Sequence, residues 1–190
     1  MNKRKIIIVT DGDQIARQAL EKAAEQLGVR CISLSVGNPS PFGGPELVDL
    51  VKQAAYDPVI VMFDDCGDEK EGIGEQSLKY VATRPDIDVI GAIAVAFNCK
   101  KSKGTPVHVA IDRNGQIISS SVDKSGQIVY DQPLRILGDT LEVLNELPIP
   151  FVVGIGDLGK MQHQDEVKIG APVTTKALQL ILCKFQHGCQ

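Results

Sequence analysis

Residues 6–28 read IIIVTDGDQIARQALEKAAEQLG, and the order of signals inside this stretch decides the fold. Ile6 to Thr10 is a continuous β-branched run, the pattern of a strand buried on both faces. Asp13 stands where a helix N-cap belongs, and Ile15, Ala16, Ala19, Leu20, Ala23, Ala24 and Leu27 form one apolar stripe behind it. Gly28 falls where a C-terminal cap is expected. A buried strand passing into an amphipathic helix is the first half of a parallel crossover unit.

The same alternation continues outward. Val29 to Leu34 reads as a second strand, and the turn-rich segment from Gly37 to Gly44 follows it. Pro45 opens a second helix that runs through Ala55, because proline is favoured at the first helical position. Pro58 to Phe63 is a third strand, Glu75 to Thr83 a third helix, and Val89 to Ala96 a fourth strand. This β-α-β-α-β-α-β order implies right-handed crossovers and a doubly wound parallel sheet. The rhythm then changes. Val107 to Asp112, Gln116 to Val122 and Gln127 to Tyr130 are short strands separated by the turns Asn114-Gly115 and Lys124-Ser125-Gly126. Leu137 to Leu147 reads as a helix, Phe151 to Ile155 as a last buried strand, and Val173 to Phe185 as a closing amphipathic helix. No linker, low-complexity segment or internal repeat divides the chain. The expected architecture is a Rossmann-like three-layer α/β/α fold, its sheet mostly parallel, with an antiparallel β-hairpin extension in the C-terminal half. It forms a single domain over residues 1–190, with the hairpin insertion at about residues 105–131.

Composition removes whole classes of function. Hydrophobic residues make up 43% and charged residues 23%, the balance of an ordinary globular chain. Aromatics are 4% with no Trp, so the core is expected to be aliphatic. Twenty basic against 24 acidic residues leave a net charge of −4, which argues against nucleic acid as a partner. The longest apolar run, Val89 to Phe97, is about half of what a membrane helix needs. The N-terminal segment reads as a strand and not as a signal peptide. Five cysteines (Cys31, Cys66, Cys99, Cys183 and Cys189) are odd in number and form no C-x-x-C pair. They are expected to be reduced thiols of an intracellular compartment.

In an open parallel sheet, ligands bind beyond the carboxyl ends of the strands. There the chain places Asp11-Gly12-Asp13 after the first strand, Gly37-Asn38 after the second, Asp64-Asp65 after the third, and Gly156-Asp157 with Lys160 after the last. Clustered carboxylates suit a hard divalent cation such as Mg²⁺, and glycines let backbone approach a phosphate. The competing interpretation is that Asp and Gly populate strand-to-helix turns, where Asp caps helices.

Named signatures match only in part. Gly154-x-Gly156-x-x-Gly159 has dinucleotide-fingerprint spacing, yet no acid-ending strand follows at the required distance. Gly154-x₄-Gly159-Lys160 has phosphate-loop spacing, but Met161 stands where a hydroxyl residue binds Mg²⁺. The first-strand acids, Ser35-x-Gly37-Asn38 and a late Gly-Asp resemble haloacid-dehalogenase-type phosphatases, without the Thr expected just after Asp13. Asp64 and Asp65 with Asp68 and Glu69 resemble topoisomerase-primase metal sites, without the first-strand Glu. His108 lies in a strand pattern and His163 in a loop, with no nucleophile assigned to either. Lys100, Lys101 and Lys103 form a small basic run, most simply a solvated turn and otherwise a contact for anionic lipid or an acidic partner.

Taken together, Val9 to Asp13, Gly37-Asn38-Pro39, Gly44 to Leu47, Val61 to Asp65, Gly72 to Glu75, Val152 to Met161 and Gly170 to Thr174 resemble the hydrophilic form of the stage V sporulation protein AE family of spore-forming Firmicutes. The resemblance covers roughly residues 5–183, departing locally at Cys66, Phe97 and Cys99. It implies an accessory role without carried-over catalytic residues, next to the machinery that moves dipicolinic acid across the spore inner membrane. Other stage V sporulation A-operon proteins are the implied partners, with peripheral attachment to that membrane. The alternative left open by the residues themselves is a metal-dependent phosphoryl-transfer enzyme, or a descendant that still binds metal and an anion.

Overall fold

The computed structural model describes residues 3–65, 72–97, 103–130, 132–138 and 140–187. The chain begins with β1 (Arg4–Val9), α1 (Gln14–Leu27), β2 (Arg30–Cys31), α2 (Gly44–Gln53), β3 (Val59–Met62), α3 (Ile73–Ala82) and β4 (Ile87–Val95). Six short strands follow: β5 (Thr105–Pro106), β6 (Val109–Ile111), β7 (Ile117–Ile118), β8 (Ser121–Val122), β9 (Ile128–Val129) and β10 (Arg135–Ile136). β11 (Val152–Ile155) and α4 (Pro172–His187) close the chain.

The main sheet has the order β2-β3-β1-β4-β11-β6-β7, parallel throughout except at β7. β1 lies inside it, and its side chains alternate between two cores. Ile6 and Ile8 join the cluster under α2 and α3, with Leu47, Val51, Leu78 and Val81. Ile7 and Val9 join the one under α1 and α4, with Ala16, Leu20, Ala177 and Ile181. All four strand residues are fully buried, which accounts for the unbroken apolar run that opens the chain. Asp13 caps α1 through its Oδ1, which accepts from the Ile15 and Ala16 amides at 2.8 Å, and Gly28 ends the helix at φ 67°.

Three elements differ from the sequence reading. The second strand is only Arg30–Cys31, and a 3₁₀ turn at Ser33–Ser35 follows, fixed by the Ser35 hydroxyl donating to Ile32 O at 2.7 Å. Leu137 to Leu147 is no α-helix. Gly138 packs close to Val95 O, Thr140 has φ 55°, and Pro148 follows, leaving room for only a 3₁₀ turn at Glu142–Glu146. The segment from Val107 to Asp112 is not confined to the antiparallel extension: β6 joins the main sheet parallel to β11, and Ala110 and Ile111 bury completely there. The hairpin from β6 to β7 extends that sheet, while β8 and β9 pair separately. Their two turns share the pattern Asp-x-x-Gly-Gln-Ile, as Asp112-Arg113-Asn114-Gly115-Gln116-Ile117 and Asp123-Lys124-Ser125-Gly126-Gln127-Ile128.

Candidate functional site

A cleft of about 170 Å³ opens at the carboxyl edge of the sheet. Thr10, Asp11 and Asp13 contribute from the end of β1, Asp64 from the end of β3, and Val95, Ala96 and Phe97 from the end of β4. Asn38 reaches it from the loop after the 3₁₀ turn, and Asp157 and Lys160 from the loop after β11. Lys124 enters from the turn between β8 and β9.

At the centre, Asp11, Asp13 and Asp157 each offer an oxygen within 4.8 Å of the others. The Asp11 Oδ1 accepts the Asp13 amide at 3.1 Å. Burial pushes the Asp11 carboxyl up to about 7, and the charges of Asp13, Asp157 and Asp64 add to that push against the Asp13 amide. Burial also acts on Asp13, but there the Lys160 ammonium and the Ala16 and Ile15 amides win and hold the carboxyl below its usual range. Lys160 Nζ donates to Asp13 Oδ2 and lies 3.0 and 3.1 Å from the two Asp157 oxygens. Against the cost of burial, these two carboxylates raise the Lys160 pKa above its ordinary value. Lys124 Nζ stands 3.6 Å from Asp157 Oδ2 and 4.3 Å from the centre of the Phe97 ring.

The glycines of the edge serve close backbone packing. A Cβ on Gly12 would lie 2.2 Å from Gly37 O, and the Gly37 amide donates to Gly12 O at 2.8 Å. The Gly12 amide donates to Asp64 Oδ2 at 3.2 Å, so this carboxylate ties two loops together. Gly156 lets the β8–β9 turn approach, since a Cβ there would meet Gly126 N at 2.6 Å, and the Asp157 amide donates to Lys124 O at 2.9 Å. Asp65 turns away from the cleft: its two oxygens accept the Gly74 and Glu75 amides at 2.5 and 2.7 Å and so hold the start of α3.

The fold thus brings together Asp11, Asp13, Asn38, Asp64, Asp157 and Lys160, with Gly12, Gly37 and Gly156 as the packing behind them and Asp65 elsewhere. Ser35, fully buried, donates to Ile32 O and accepts from the Met62 amide, so it does not face the cleft as a phosphatase-type hydroxyl would. Lys124 and Phe97 are members that sequence analysis missed. The sequence places Lys124 only in a turn, and nothing local tells that this turn folds back onto the edge.

The remaining candidates lie apart from the cleft. His108 Nδ1 accepts from the Val152 amide at 3.0 Å, and His163 pairs with Glu166. Burial pushes the Cys31 thiol up to about 12, and Cys183 is exposed; both are free. Cys66, Cys99, Cys189, Asp68, Glu69, Lys100 and Lys101 lie outside the described residues. Among the described residues no helix is long and apolar enough to cross a membrane.

No curated protein and no solved structure matches the chain. A family model described as stage V sporulation protein AE1 matches residues 5–184, from β1 nearly to the end of α4 and across every loop of the cleft. With almost the whole chain covered, the protein belongs to the stage V sporulation protein AE1 family, and its role lies in sporulation.

Proposed function

We propose that this protein is a non-enzymatic accessory component of the spore germination apparatus, working beside the machinery that moves dipicolinic acid across the spore inner membrane. The observation that carries this reading is the charge pairing of the cleft. Two of its converged carboxylates, Asp13 and Asp157, already have cationic partners in Lys160 and Lys124. Such a site is suited to holding and positioning. The family match supplies the sporulation setting. Since no described helix can cross a membrane, this reading calls for peripheral attachment through other stage V sporulation A-operon proteins. Cross-linking in sporulating cells, followed by recovery of the tagged chain from the inner-membrane fraction, tests it. Enrichment of those membrane proteins is the expected result, and their absence from the recovered material would count against the reading.

A second reading, a metal-dependent phosphoryl-transfer enzyme or its binding descendant, is favoured by the convergence of Asp11, Asp13 and Asp157. Such chemistry calls for Mg²⁺, which would have to displace Lys160 from Asp13 and Asp157. A thermal-shift titration with Mg²⁺, Mn²⁺ and Ca²⁺, with and without phosphate or dipicolinate, tests this reading beside an Asp11→Asn, Asp64→Asn double variant. A ligand at about 100 times its dissociation constant adds roughly 2.7 kcal/mol of stability. A shift that the variant loses would support an acidic ligand site at the sheet edge and call for assays of phosphatase activity.

A further inference from the structure

The carboxylates at the centre of the cleft are spaced for a cation, and the chain itself supplies one. Five of their six oxygens are engaged. Asp13 Oδ1 takes the Ile15 and Ala16 amides, Asp13 Oδ2 takes Lys160, both Asp157 oxygens face Lys160, and Asp11 Oδ1 takes the Asp13 amide. A second ammonium, that of Lys124, stands 3.6 Å from Asp157 Oδ2. A hard divalent cation asks for six or more oxygens around it. To enter here it would have to break the charge-assisted bonds of Lys160 and then sit beside two ammonium groups. This donor set does not fit Mg²⁺.

The placement of Lys160 is built into the backbone. Gly159 turns at φ 71°, and its amide donates at 2.8 Å to Oδ2 of Asp165, a fully buried residue. Asp165 also accepts from the Val173 and Thr174 amides, fixing the loop to the start of α4. The ammonium is therefore delivered to one point by a rigid turn.

We propose that Lys160 is a tethered counter-ion standing where a divalent cation would otherwise sit among Asp11, Asp13 and Asp157, so that the native cleft excludes hard divalent metals. The inference rests on the cleft of the first reading. Recovery of membrane partners tests that reading without reference to cations, so the two can fail separately.

The experiment is a thermal-shift titration of the full chain with MgCl₂, MnCl₂ and CaCl₂ at constant ionic strength. Wild type, Lys160→Met, Lys160→Arg, and Lys160→Met combined with Asp157→Asn are compared. Lys160→Met is expected to gain a cation-dependent rise in Tm, at concentrations at least about tenfold below any response of wild type. Lys160→Arg is expected to behave as wild type, and the added Asp157→Asn is expected to remove the gain. A wild-type response at the same or lower concentration would overturn the inference, and so would a Lys160→Met protein indifferent to all three cations. If Lys160→Met does not fold alone, its refolding yield with and without MnCl₂ gives the same readout, and Lys160→Gln repeats the comparison.

Discussion

Asp11 sits in a crowded acidic cleft, where burial and the charges of neighbouring carboxylates push its pKa up to about 7, with a consequence for stability. Between the unfolded value near 4 and the folded value near 7, the folded chain binds the extra proton, so stability falls as pH rises through that window. Asp11→Asn is expected to flatten this slope. It should match wild type near pH 4 and exceed it above pH 8 by about 1–3 kcal/mol, read from urea midpoints across pH. Asp165 bears on stability through its hydrogen bonds. It is fully buried, and accepts from three amides and the Thr174 hydroxyl. Asp165→Ala is expected to cost about 3–5 kcal/mol, since it strands those donors in the interior, and to loosen the loop that carries Lys160. Equilibrium denaturation checks the first effect, and hydrogen exchange at Gly159 and Lys160 the second.

Among the elements, the two hairpin turns show how one local pattern is put to two uses. Asp112 Oδ1 accepts from the amides of Asn114 and Gln116, and Asp123 Oδ1 accepts from those of Ser125 and Gln127. Gly115 and Gly126 both take the left-handed conformation that such turns require. The first turn rests on α4, where Lys176 Nζ donates to Gly115 O at 2.6 Å. The second docks on the sheet edge and brings Lys124 to Asp157. Asp112→Ala and Asp123→Ala should therefore destabilise by similar amounts, about 1–2 kcal/mol each. Only Asp123→Ala is expected to change the cleft. Amide exchange at Asp157, whose N–H is held by Lys124 O, separates the two variants.

For the molecule as a whole, the cores on the two faces of the sheet share β1 and β4, so neither has a scaffold of its own. The hairpin strands pack into the same body, with Val122 in the core under α2 and α3. Urea is therefore expected to unfold the chain in one cooperative transition, with a slope of about 2 kcal/mol/M. Circular dichroism and exchange at β8–β9 should give the same midpoint, and an earlier loss of β8–β9 would mark the extension as a separate unit.

What the sequence determined by itself was the local and the periodic. The run Ile6–Val9 announced a strand buried on both faces, Asp13 and Gly28 bounded α1, and the glycine-acid turns marked the edge where the cleft lies. The family pattern, spread over nearly the whole chain, was legible in the same way. Tertiary structure decided the rest. Adjacent Asp64 and Asp65 look equivalent in sequence, yet one lines the cleft and the other holds α3, because successive side chains leave an extended segment on opposite sides. β6 joined the parallel sheet because the edge of β11 was open to it, a long-range pairing that no local signal encodes. Lys124 met Asp157 only because a distant turn folded back onto the edge, and Lys160, only three residues from Asp157, met Asp13 only because the fold sets the loop after β11 beside the end of β1.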